Sequence, residues 1–177
     1  MVRVVWALVV VVLVGACGDD DAESVTGGGT TTTSESESGT ADGCDVDGAV
    51  DAAPVGSIEA TLTEYAVGLS QPSAPAGAVE LVATNVGLVD HELTVVRFDG
   101  EPGALPLNVV GGAELSELPD GAEVGRIWSF PPDATCRATF DLAPGRYALI
   151  CNVVDDGTNP HYSQGMYTAF TVDPAPG

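Results

Sequence analysis

The sequence predicts an all-β fold, an antiparallel Greek-key β-sandwich carried behind a disordered acidic tether. Three observations lead there. From about residue 44 onward, short segments place apolar residues at every second position, and Gly, Pro, Asp and Asn clusters punctuate them. No stretch sustains a 3.6-residue period between helix caps. The chain carries 26 Asp and Glu against five basic residues, all of them arginine, for a formal charge of -21. Without clustered cations it has nothing to neutralise phosphates, which excludes nucleic-acid binding, and a polybasic attachment to anionic lipid is excluded with it. The 45% apolar content of its 177 residues is ordinary for a globular protein and leaves enough for one domain plus tails.

Residues 1–16 read as an export signal, with Arg3 ahead of the apolar run 4–14, which is too short to span a bilayer comfortably. The run ends in Val14-Gly15-Ala16-Cys17, which resembles the lipobox of bacterial lipoproteins. That resemblance implies cleavage before Cys17, a diacylglycerol on its sulfur, and a protein lipid-anchored at the outer face of the bacterial cell membrane. Residues 17–43 are rich in Ser, Thr, Gly and acids, with almost nothing to bury, and read as a disordered linker. The folded domain is placed at 44–177.

Within it the strands follow in order. Ile58, Ala60 and Leu62 share one parity, as do Val79, Leu81 and Ala83, then His91, Leu93 and Val95. Ala138, Phe140 and Leu142 follow, then Tyr147, Leu149 and Cys151, and finally Met166, Thr168, Phe170 and Val172. Pro75-Ala76-Gly77, Asp99-Gly100, Pro119-Asp120-Gly121, Pro131-Pro132-Asp133 and Ala143-Pro144-Gly145 mark turns. Short strands at this spacing suit a sandwich. The segment 98–126 reads mostly as loop, with a strand at about 126–130.

Both histidines of the sequence, and the methionine left after export, fall into one pattern: His91 at a strand start, then Cys151-x9-His161-x4-Met166. Two imidazoles, a thiolate and a thioether are the donors of a blue-copper electron-transfer site, a His2Cys plane with a weak axial Met. Parity turns His91, Cys151 and Met166 toward the core, each at the end of a strand, where neighbouring ends meet at one pole.

The domain is similar to the cupredoxins. The resemblance rests on Thr84-Asn85-Val86-Gly87 leading into Asp90-His91-Glu92-Leu93, on the strand from Pro144-Gly145-Arg146-Tyr147 to Cys151, and on His161-Tyr162-Ser163-Gln164-Gly165-Met166. It implies one type 1 copper ion held by His91, Cys151, His161 and Met166, cycling between Cu(II) and Cu(I) as a one-electron carrier. Asn85, Glu92 and Asn152 are the expected hydrogen-bonding surroundings, with Glu92 standing where many family members have Asn. The gap from Cys151 to His161 is longer than in plastocyanin-type carriers, and its Asp155 and Asp156, if near the metal, favour Cu(II).

Cys44 and Cys136 remain as a disulfide pair for an exported domain; pairing of Cys151 with either would abolish the copper site. The acidic excess either keeps the protein soluble or steers it to a redox partner with a basic docking face, at a surface expected around Pro160, His161 and Tyr162. The expectation is a monomeric carrier and not an enzyme, since an oxidase or nitrite reductase needs a second copper site built on further histidines. A copper-delivery module and a metal-free interaction module are the alternatives.

Overall fold

The computed structural model describes residues 43–175; the export segment, Cys17 and the tether up to residue 42 lie outside the described residues. Twelve strands follow one another: β1 Val46–Asp47, β2 Gly56–Thr63, β3 Ala66–Leu69, β4 Ser73–Pro75, β5 Gly77–Asn85 and β6 His91–Arg97. After a long connection come β7 Glu123–Phe130, β8 Thr135–Leu142, β9 Gly145–Ile150, β10 Val154–Asp155, β11 Asn159–Pro160 and β12 Tyr167–Asp173. They form a six-stranded sheet in the order β1-β7-β6-β9-β12-β4 and a four-stranded sheet in the order β3-β2-β5-β8, with β10 and β11 as a separate small hairpin.

The alternation read from the sequence is the alternation that buries. Along β2 and β8 every second residue is buried, including Ile58, Leu62, Cys136 and Phe140, while the residues between them are mostly exposed. From the other sheet Leu93, Ile127, Leu149 and Phe170 complete this core. Two pairings run parallel within the otherwise antiparallel sandwich, β2 with β5 and β4 with β12. Side chains alternate with period two in either direction, so periodicity carries no information on strand direction.

The central strands β6 and β9 depart from alternation because both their faces are covered. Residues 91–96 are all buried, as are 147–150. On the outer face Val96, Ala148 and Ile150 pack with Leu105, Ala113 and Tyr162 in a second apolar cluster. The segment expected to be mostly loop supplies that cover, through 3-10 turns at Pro102–Ala104 and Leu115–Glu117. The Tyr162 hydroxyl pins it, donating to the Pro102 carbonyl at 2.7 Å and accepting from Leu105 N–H at 3.0 Å. The strand expected at about 126–130 begins earlier, at Glu123.

Antiparallel pairing then fixes one pole. β6 pairs with β9 from Thr94–Ile150 to Arg97–Tyr147, and β9 pairs with β12 from Ile150–Tyr167 onward. The start of β6, the end of β9 and the start of β12 therefore share an edge. Cys151 lies one residue beyond β9 and Met166 one residue before β12.

Cys44 and Cys136 form a disulfide across a sequence separation of 92, and Cys151 is free and buried, so the rival pairings do not occur. A cross-link closing a loop of that length stabilises chiefly by restricting the unfolded chain. The Cys44→Ser/Cys136→Ser protein is expected to lose about 2–5 kcal/mol of unfolding free energy, read from urea unfolding, with a steeper slope because the unfolded chain expands without its cross-link.

Candidate metal centre

His91, Cys151, His161 and Met166 are all fully buried at the shared pole. Their backbones are stitched to one another. The Cys151 N–H donates to the Met166 carbonyl at 3.0 Å, the Met166 N–H to the His161 carbonyl at 3.1 Å, and the His161 N–H to the Val153 carbonyl at 2.9 Å. Between His161 and Met166 a 3-10 turn, Tyr162–Gln164, ends at Gly165, whose φ of 101° a side chain would resist. This turn returns the chain to β12.

Both imidazoles aim Nδ1 inward. The two Nδ1 atoms are 3.1 Å apart, and Cys151 Sγ lies 3.4 Å from Nδ1 of His161 and 3.8 Å from Nδ1 of His91. Three donors bonded at about 2.0–2.3 Å to one small ion need separations of this size. In the dry pole they have little else to do. The His91 Nε2 is buried without a hydrogen-bond partner. Burial pushes the Cys151 thiol pKa up to about 12, so the sulfur is protonated at neutral pH until a cation displaces the proton. Burial, and then the neighbouring His161, likewise hold His91 below the usual imidazole range, leaving a neutral ligand. The donor set fits one type 1 copper ion, with soft sulfur and borderline imidazole combined.

The fold is a two-sheet β-sandwich with a buried His-Cys-His group at one pole. No family model and no curated protein matches the chain. Among solved structures it is similar to auracyanin B, at 24% identity and a TM-score of 0.49 over 71% of this chain and 94% of that one. It is also similar to the dithionite-reduced auracyanin of the photosynthetic bacterium Roseiflexus castenholzii, at 21% identity and a TM-score of 0.47 over 67% and 96% of the two chains.

The pole is held by the polar residues beside the candidate ligands. The Asn85 amide donates to the carbonyls of Val89 at 2.8 Å and Phe130 at 3.1 Å, and its oxygen accepts the Gly87 N–H at 2.9 Å. The turn before His91 is thereby tied to the end of β7. Glu92 ties the site together: its carboxylate accepts from the Asn152 N–H and the Thr94 hydroxyl, both at 3.1 Å. Its own N–H faces Cys151 Sγ at 3.4 Å. Arg126, stacked on Trp128, stands 3.8 Å from the same carboxylate. Asn152 exchanges two hydrogen bonds with the Ala113 backbone and so couples the ligand loop to the outer cover.

Glu64 was invisible to sequence reasoning. It arrives from the β2–β3 turn, accepts the N–H groups of Leu88 at 2.6 Å and Val89 at 3.0 Å, and lies 3.4 Å from His91 Nε2. The Leu88 bond holds its carboxyl below the usual carboxylate range. Gly87 makes the approach possible, since a Cβ there would lie 2.5 Å from the Glu64 carboxylate and 2.8 Å from the His91 ring. The glycine of the Asn-x-Gly motif was the available signal.

One expectation fails. An exposed imidazole edge at Pro160, His161 and Tyr162 does not exist, because all three residues are buried. The long gap after Cys151 folds as the β10–β11 hairpin, and Tyr65 packs edge-on against the His161 ring at 5.1 Å. Asn159 anchors the hairpin, donating to the Tyr65 hydroxyl at 2.7 Å and accepting from Gln164 at 3.0 Å.

Replacing Asn85 by Ala leaves two carbonyls and an N–H without their partner. Asn85→Ala is expected to cost the metal-free protein about 2–3 kcal/mol of unfolding free energy, measured in denaturant.

Proposed function

We propose that the protein is an exported, membrane-tethered type 1 copper protein acting as a one-electron carrier. His91, Cys151 and His161 are its strong ligands and Met166 its weak axial one. The observation that carries this reading is the convergence of two Nδ1 atoms and one Sγ at 3.1–3.8 Å in a buried pole. Bound copper supplies the Cu(II)/Cu(I) couple. The chain's residues hold the donors in place, exclude water and keep the His91 imidazole neutral.

Several features favour a carrier over a delivery module or an enzyme. Every proposed ligand is fully buried, so releasing the metal requires opening the ligand loop. Both histidines of the chain are spent on this one group, which leaves none for a second imidazole-built copper site. The Cys44–Cys136 disulfide suits an oxidising compartment, and Cys17 after the export signal supplies the anchor. The redox partner is a protein with a basic docking face, complementary to a chain with a formal charge of -21.

One equivalent of Cu(II) is expected to give an intense visible thiolate-to-copper band and a matching EPR signal, both absent in Cys151→Ser. A protein that stays colourless with copper bound, or that takes zinc in preference, contradicts the reading. Stopped-flow electron transfer to a basic cytochrome is expected to slow as salt rises, since a Debye length of about 8–10 Å near 0.1–0.15 M screens long-range attraction. A rate indifferent to ionic strength removes electrostatic steering.

A further inference from the structure

We propose that Asp155 is a positioning residue of the metal centre, holding the His161 imidazole with Nδ1 inward and biasing the site toward the oxidised ion. The proposal rests on the copper reading.

Asp155 Oδ2 lies 2.8 Å from His161 Nε2. An imidazole that offers Nδ1 to a metal carries its proton on Nε2, and that N–H donates to the Asp155 carboxylate. A carboxylate acceptor fixes the ring's tautomer and orientation and makes it a stronger donor. The His161 ring is fully buried and the Asp155 side chain is 27% exposed, so the contact is largely shielded from solvent.

The hairpin is built around this contact. Asp155 pairs with Asn159 across the hairpin, and the bonds of Asn159 to Tyr65 and Gln164 hold that second strand. Asp156 carries the same charge one residue on, but it is exposed and makes no hydrogen bond to either imidazole. On the other ring Glu64 does not duplicate the arrangement. The carboxylate oxygen nearest His91 Nε2, at 3.4 Å, already accepts two backbone N–H groups. The carboxylate with an undivided bond to a ligand imidazole is that of Asp155.

An anion bonded to a ligand stabilises the ion of higher charge, so removing it favours Cu(I). In the copper-loaded mature protein, Asp155→Asn is expected to shift the Cu(II)/Cu(I) affinity ratio by about tenfold, raising the reduction potential by about 59 mV for one electron. Asp156→Asn removes an equal charge that solvent already screens, and is expected to move the potential by a small fraction of that. An unchanged potential in Asp155→Asn with the visible band intact overturns the proposal. Equal shifts in the two variants also overturn it, because they reduce Asp155 to a charge near the metal.

A second arm needs neither copper nor a variant. Nitrogen NMR of the metal-free wild-type protein is expected to show His161 protonated at Nε2, with slow exchange of that proton. A proton on Nδ1 instead overturns the proposal, even if Asp155→Asn does not fold. Wild-type protein that gives no thiolate-to-copper band refutes the copper reading itself, and the NMR arm then decides the role of Asp155 in holding the ring.

Discussion

The antiparallel pairing of β6 with β9, and of β9 with β12, is the constraint from which the rest of the molecule follows. Antiparallel neighbours exchange beginnings for ends, so His91, Cys151 and Met166, far apart in the chain, are delivered to one edge. Register matters as much as direction. A one-residue slip of β9 against β6 would turn Cys151 away from both imidazoles and invert every buried side chain of the strand. The cover of residues 98–122 makes that slip more costly, because β6 and β9 bury apolar residues on both faces. The same double burial makes the pole dry, and dryness is what keeps the Cys151 thiol protonated and His91 neutral in the absence of a cation.

Much of this was legible in the sequence because period-two alternation is a direct record of which face is buried. Ile58, Ala60, Leu62, Phe140, Leu142, Phe170 and Val172 are all core residues of the structure. The convergence of His91, Cys151 and His161 was legible because scarce chemistry fell at strand ends and in the loop between them. Other features left no local trace. Strand direction does not alter alternation, so the parallel pairings of β2 with β5 and β4 with β12 were not visible. The cover over β6 and β9 depends on a few apolar residues, such as Leu105 and Ala113, scattered along an irregular segment without any period. Glu64 reaches His91 only through the fold, 27 positions away in the chain. The enclosure of His161 was missed for a related reason: the extra length after Cys151 was evident, but not that it would fold as a hairpin against the ring.

Holding three donors at 3.1–3.8 Å from one another has a definite energetic meaning. Two imidazole nitrogens and a sulfur facing one another in a dry pocket satisfy each other poorly, and a buried His91 Nε2 goes without a hydrogen bond. Protein groups alone therefore leave the pole under-satisfied, and elements outside it fix its shape. Asn85 ties the approach to His91, Glu92 and Asn152 tie the segment after Cys151, and the sheet register fixes the rest. Pre-organisation of this kind moves the cost of arranging ligands from the binding step to the folding step. It also links the two equilibria: an ion that binds the folded pole and not the unfolded chain stabilises the fold in proportion to the logarithm of its concentration over its dissociation constant. For a one-electron site the benefit is mechanical. Donors already fixed by backbone hydrogen bonds and packed strands have little room to rearrange when the charge at their centre changes by one, so the scaffold favours neither a large motion nor release of the ion.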